Sequence, residues 1–184
     1  MIRLLAVWAG LAAGGFAAAG DVRLERRADR IEVSVGDDPF TAYVFAGHRK
    51  PVLFPLLAPG GAAMTRSWPL VEGVAGEPHD HPHHESVWFT HGAVNGVDFW
   101  ASHPRADDPR HRAADRVEHV ELVACESGPV GRIETRSRWL RADGSVVCTD
   151  SRRLEFRAEA DRRLVDHAVT IHADHGPVTF GDTK

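Results

Sequence analysis

The chain has 184 residues, with 17 Gly, 11 Pro, two Cys and a formal charge of −4 when its 12 histidines are neutral. An acidic balance with its arginines interspersed among acids argues against a nucleic-acid surface, which relies on clustered Lys and Arg. Two cysteines cannot build a disulfide scaffold, and the Gly and Pro content with few helical periods points to a loop-rich β protein.

Arg3 precedes the apolar stretch 4–16 and then Ala17, Ala18 and Ala19, the order of a secretory leader cleaved after Ala19. The stretch is too short to span a bilayer comfortably. The expectation is a periplasmic or secreted protein with no stable membrane span after cleavage. Residues 20–184 would form one domain of formal charge −5.

Residues 22–24 and 30–35 alternate apolar and polar side chains as half-buried strands do. Asp37, Asp38 and Pro39 turn the chain into a return strand at 40–45, and the break at 47–51 leads to another strand at 52–57. Residues 59–61 mark a loop, and 65–70 enter the histidine-rich region with no helical period. Residues 87–91 are β-prone. Asn95-Gly96 is a strong turn signal, after which 97–100 resume an extended path. Residues 102–116 read as a polar surface loop, with a short helix at 109–116 as the alternative. In 133–139 the face with Ile133 and Trp139 alternates with Glu134, Arg136 and Arg138, which predicts a strand wet on one side. With 117–125 before it and 146–156 and 164–172 after it, four consecutive strands predict an antiparallel meander. In that order Cys125 and Cys148 lie two strands apart, about 10 Å, beyond disulfide reach. Free thiols follow.

Five histidines fall in residues 79–91: His79, His81, His83, His84 and His91. Imidazole titrates nearest neutral pH and is the commonest metal ligand. With Asp80 and Glu85 among them, the run can supply acid/base groups, ligands to a divalent metal, or a polar loop stiffened by Pro78 and Pro82. A turn that folds His91 back towards His81 and His83 would give three nitrogen ligands and an open position for water. No His-Glu-x-x-His spacing is present. The default readings are a surface Arg66, a core Trp68, turn residues at Asn95 and Asp98, and core aromatics at Trp88, Phe89, Phe99 and Trp100. Asp150, Arg152 and Asp166 share strand faces with apolar residues, which calls for an internal ion-pair network or a polar cleft.

The segments 65–69, 80–84, 88–92, 94–100 and 180–184 resemble the successive motifs of the bacterial PmoA-like ("methane oxygenase PmoA") family. The resemblance covers most of the chain after the leader. It implies an exported protein of bacteria rich in polysaccharide-degrading systems, folded as an antiparallel β-sandwich like the galactose-mutarotase supersandwich. It also implies functional positions at Arg66, Asp80, His81, His83, His84, His91, Asn95 and Asp98. The family carries a basic residue where Glu85 stands here, and it continues for roughly another hundred residues, so a chain truncated at its C-terminal end is expected. Val165, Val169 and Ile171 would then be unusually exposed.

The resulting expectation is a carbohydrate-related enzyme of isomerase, lyase or hydrolase type acting on a small-molecule or carbohydrate substrate. His81, His83 and Asp80 would be catalytic, Arg66, His84, Asn95 and Asp98 substrate-binding, and His81, His83 and His91 the ligands of any divalent metal. The alternatives are a non-catalytic carbohydrate-binding module with Trp68 or Trp88 stacking on sugar, and an oxygenase with histidine-bound iron or copper.

Overall fold

A computed structural model describes residues 20–100, 114–159 and 161–183. The expected leader lies outside the described residues, as does most of the expected loop or helix at 102–116. The described residues form an all-β fold of two antiparallel sheets and contain no helix long and apolar enough to cross a membrane.

The first sheet follows chain order: β1 (Val22–Arg26), β2 (Arg30–Val35), β3 (Asp38–Val44), β4 (Val52–Leu53) and β5 (Val87–Trp88). The turn into β3 uses Gly36 and Asp37, earlier than expected, because Gly36 takes a φ of 56° and lets the strands pair from Val35 and Asp38 onward. β4 is shorter than the sequence predicts, since Pro55 cannot extend the ladder. The chain nevertheless keeps to the edge of β3, with Phe54 N donating to Ala42 O and Leu57 N to Phe40 O. Residues 97–100 form no sheet strand. Val94 and Val97 instead close a tight turn over Asn95 (φ 50°) and Gly96 (φ 76°), the positive-φ pair that Asn-Gly favours.

The second sheet is the predicted meander of β6 (Arg116–Glu126), β7 (Gly131–Leu140), β8 (Val146–Ala158) and β9 (Arg163–His172). The alternation of β7 survives intact: Ile133, Thr135, Ser137 and Trp139 are buried, while Arg136 and Arg138 face solvent and meet Glu121 and Glu118 of β6. β7 separates Cys125 from Cys148, and both thiols are free.

The two sheets pack through Val22, Ile31, Val33, Phe40, Tyr43 and Leu53 from one side and Ile133, Leu154 and Phe156 from the other. β1 lies so close to β7 that a Cβ at Gly131 would sit 2.4 Å from Val22 Cγ1. Any other residue there would push the sheets apart. A second cluster carries Val94, Val97 and Phe99 onto Val117, Trp139, Val147 and Cys148, which fixes the 94–99 turn over one end of the second sheet.

Asp150 and Arg152 occupy the inner face of β8, as their alternation requires. Arg152 is 2 % exposed and holds Asp150 through Nε at 3.0 Å and Nη2 at 2.7 Å, and Trp139 Nε1 donates to the same carboxylate at 2.8 Å. Asp166 is a correction to the expected interior placement. It lies on the outer face of β9 and pairs with Arg157, because Val165, His167, Val169 and Ile171 take the inner face. Those apolar residues are half-buried, Val165 against the first cluster and Ile171 against the second.

His167 faces this interior with Nε2 buried and without a hydrogen-bond partner. Burial, reinforced by the Arg152 charge, pushes its pKa from 6.5 down to about 4. The unfolded chain therefore takes up this proton first. The expected result is stability that is full above about pH 6.5 and declines as the pH falls towards about 4. Urea denaturation across that window checks it: His167→Phe should flatten that part of the curve, and a variant with the parent's slope would refute the assignment.

Candidate functional site

Residues 77–86 leave the sheet as a loop beside the first sheet's edge, and two carboxylates fasten it. Glu77 accepts from Ser67 N and Trp68 N at 2.7–2.9 Å, which holds its carboxyl below the usual range. Trp68 stacks on His79 with ring centroids 5.3 Å apart and planes at 9°, so the indole proposed to stack on sugar is already covered by an imidazole.

Arg66 closes the loop from the other side. Nη1 donates to Pro78 O and to Asp80 Oδ1 (2.7 Å), and Nη2 to Asp80 O (2.6 Å) and His81 O (2.8 Å). In this structure its hydrogen bonds go to the loop rather than to the cleft wall. A planar fork that saturates four acceptors of one loop is a brace for that loop.

The second oxygen of Asp80 lies 2.8 Å from His81 Nδ1. Hydrogen bonds from Arg66 first, then from His81, keep the Asp80 carboxyl ionised well below its ordinary range. An ionised Asp80 accepts the Nδ1 proton, so neutral His81 is left with Nε2 as its basic atom. His81 adopts a φ of 43°, which the Arg66 clamp on its carbonyl helps to hold. The rings of His81, His83 and His84 pack together at centroid distances of 4.4–5.7 Å. Burial and the neighbouring His81 and Arg66 push the His84 pKa down. His84 thus joins the cluster but is absent from the cleft wall described next.

His81 and His83 line a cleft of about 710 Å³ together with Gly92, Asp98, Trp100, Asp182 and Thr183. The last two arrive on residues 177–183, a strap laid along the Asn95 turn. Asn95 N donates to Thr179 O, its side-chain Nδ2 to Pro177 O and Gly181 N to Ala93 O, while Thr179 N donates to Asn95 Oδ1. Asn95 is therefore a fastener behind the cleft wall and is not one of the residues that line it. Asp98 does line the cleft, and one of its oxygens also accepts from Trp100 N at 2.9 Å.

His91 does not join His81 and His83. Its Nε2 lies 3.0 Å from Gly181 O and its ring packs edge-on against Phe180, so the turn folds it towards the strap. Among the described residues no three His, Cys, Asp or Glu side chains stand together as a ligand set. The three-nitrogen metal centre at His81, His83 and His91 does not fit this arrangement.

The default core reading also fails for Trp100, which is 44 % exposed in the cleft. It is supported edge-on by Trp88, with centroids 4.3 Å apart. Behind Trp88 sits Lys50, only 1 % exposed, with Nζ 4.3 Å from the indole centroid, 3.3 Å from Glu85 Oε2 and 3.4 Å from His83 O. Sequence reasoning missed Lys50, Asp182 and Thr183. The first sits in a Gly-His-Arg-Lys-Pro stretch that reads as a solvated turn, and the other two reach the cleft only through contacts more than 80 positions away in sequence.

Residues 30–184 match the model of a family of unknown function, DUF6807. No curated protein and no solved structure matches the chain.

Proposed function

The chain belongs to DUF6807, a family of unknown function, and we propose that it is an exported, carbohydrate-related protein whose cleft binds a sugar for acid/base chemistry at His81. The reading includes the likeness to PmoA-like proteins and to the mutarotase supersandwich. The observation that carries it is the exposed Trp100 indole sharing one cleft with two imidazoles and two carboxylates. An indole offers an apolar face to the C–H side of a sugar ring, while Asp98 and Thr183 can accept its hydroxyl protons.

Within that cleft His81 is the group prepared to move a proton. Asp80 fixes Nδ1–H, and Arg66 fixes Asp80, so Nε2 can withdraw a proton from a sugar carbon or hydroxyl and return it. The imidazolium formed in between is stabilised by the Asp80 carboxylate. His83 stands beside it as the second imidazole of the wall.

Titration of the protein with a panel of neutral oligosaccharides, followed by tryptophan fluorescence and by NMR of the sugar, tests the reading. Trp100→Ala is expected to abolish binding. His81→Ala should leave binding in place and slow conversion by about 10²–10⁴-fold, the usual worth of a general acid/base. Binding without conversion in the parent would instead make the protein a carbohydrate-binding module. A Trp100→Ala variant that binds as the parent does would sink both.

A further inference from the structure

We infer that Ser151 and His172 form a nucleophile and base pair on the outer face of the second sheet, set to hydrolyse short-chain carboxylic esters. Ser151 Oγ and His172 Nε2 lie 2.8 Å apart. They meet on a diagonal of the ladder between β8 and β9, in which Thr149 pairs with His172 and Ser151 with Thr170. Asp150 and Arg152 turn inward, so Thr149, Ser151 and Arg153 turn outward. With Nδ1 carrying the proton, Nε2 accepts the hydroxyl hydrogen, the arrangement that activates a serine. Ser151 also lines a cleft of about 430 Å³ with Val123, Glu134, Arg136, Arg153, Ala168 and Thr170. No residue lines both this cleft and the one at His81, so the pair is a separate site.

The neighbours of the pair supply the other parts of an acyl transfer. Thr149 Oγ1 donates to Asp174 Oδ2 at 2.7 Å, and this bond above all holds the Asp174 carboxyl ionised below its ordinary range, with His172 among the nearby charges that contribute. A carboxylate within the field of His172 stabilises the imidazolium that forms when the ring takes a proton. Arg136 stands directly across the ladder between β7 and β8 from Ser151, and Arg153 lies two positions along β8. Glu121 engages Nη1 of Arg136, and Glu155 engages Nε of Arg153. A guanidinium carries five N–H donors, so each retains others that can reach an oxyanion beside Ser151, and no surplus of positive charge is needed. The carboxylate of the wall, Glu134, meets Arg132 at 3.5 Å. Ser151 Oγ attacks the ester carbonyl as its proton passes to His172 Nε2; the tetrahedral oxyanion collapses, and the alcohol leaves with that proton. Water repeats the sequence on the acyl-serine, which releases the acid and restores both side chains. Val123 and Ala168 are the apolar side chains of the wall, enough for an acetyl-sized group but too little apolar surface to bury a long chain.

Diisopropyl fluorophosphate, which phosphorylates an activated serine, tests the pair when it is added to the full protein and the adduct is located by peptide mass mapping. Hydrolysis of p-nitrophenyl acetate and of p-nitrophenyl octanoate is followed alongside. The expected result is an adduct on Ser151 and faster turnover of the acetate than of the octanoate. His172→Gln should slow adduct formation about a hundredfold, the lower end of what a positioned base supplies, and Ser151→Ala should abolish it. Both side chains face solvent, so each variant should melt as the parent does. Absence of an adduct on Ser151 in the parent would overturn the assignment. So would an adduct that forms as fast in His172→Gln, or acetate hydrolysis undiminished in Ser151→Ala, which would belong to other imidazoles. Faster turnover of the octanoate would overturn the short-chain class.

Discussion

Arg152→Met is expected to cost the fold about 3–5 kcal/mol, the usual consequence of stripping one partner from a buried ion pair. For a domain of this size that lowers the melting temperature on the order of 10 °C. The guanidinium is fully enclosed between the sheets and makes three contacts within 3.1 Å to Asp150. Without it the Asp150 carboxylate retains the Trp139 indole N–H but no countercharge. The double variant Arg152→Met, Asp150→Leu should recover much of the loss, because two apolar side chains need no partners. Urea midpoints for the parent, the single and the double variant decide the matter. A single variant within about 1 kcal/mol of the parent would show that the pair is not desolvated as its burial requires.

Lys50→Met is expected to cost about 3 kcal/mol at neutral pH, again from an uncompensated buried charge, and the cost should shrink on acidification. In the parent, burial pushes the Glu85 carboxyl upward, but the neighbouring His48 imidazole, 3.9 Å away, and the Lys50 charge outweigh it and hold the pKa below the ordinary range. A carboxyl of this kind contributes stability above its unfolded pKa and loses it as the pH falls through the folded value. Removing Lys50 leaves burial with less opposition, so the folded pKa rises and the protein with a protonated Glu85 becomes the better folded form. The gap between parent and variant is therefore widest at neutral pH and closes towards acid. Lys50 also supports Trp88 and the His83 carbonyl, so the fluorescence of the Trp88–Trp100 pair should shift in the same variant. A pH-independent gap would show that Glu85 is not what the lysine compensates.

The two meanders were legible because a half-buried strand writes its facing directly into the sequence. Residues 133–139 alternate strictly, and short polar turns left sequential pairing as the economical topology. Asp150 and Arg152 were legible as interior charges for the same reason. Asp166 was misplaced because Leu164 and Val165 are both apolar, so alternation alone cannot say which face of β9 is buried. Val165 packing on the first core cluster and Ile171 on the second decide it. At the site, the histidine run and Asp98 were visible locally, but what each polar group is spent on was not. Arg66 and Asn95 carry the chemistry of substrate contacts, and only the folded chain shows their donors and acceptors consumed by the 78–81 loop and the strap. Trp100 resembled any core aromatic until its neighbour Phe99 took the buried position.

The strap has a consequence for the order of folding events. Apart from the long 54–86 link between β4 and β5, both meanders join neighbouring strands through short connections, whereas joining residues 177–183 to the Asn95 turn closes a loop of more than 80 residues. The entropy of that closure is repaid by a handful of hydrogen bonds rather than by a large buried area, so it becomes favourable only once the second sheet has brought the two segments together. The sheets can therefore be complete while the cleft still lacks the wall that carries Asp182 and Thr183. On refolding, recovery of ligand binding should lag the recovery of β structure.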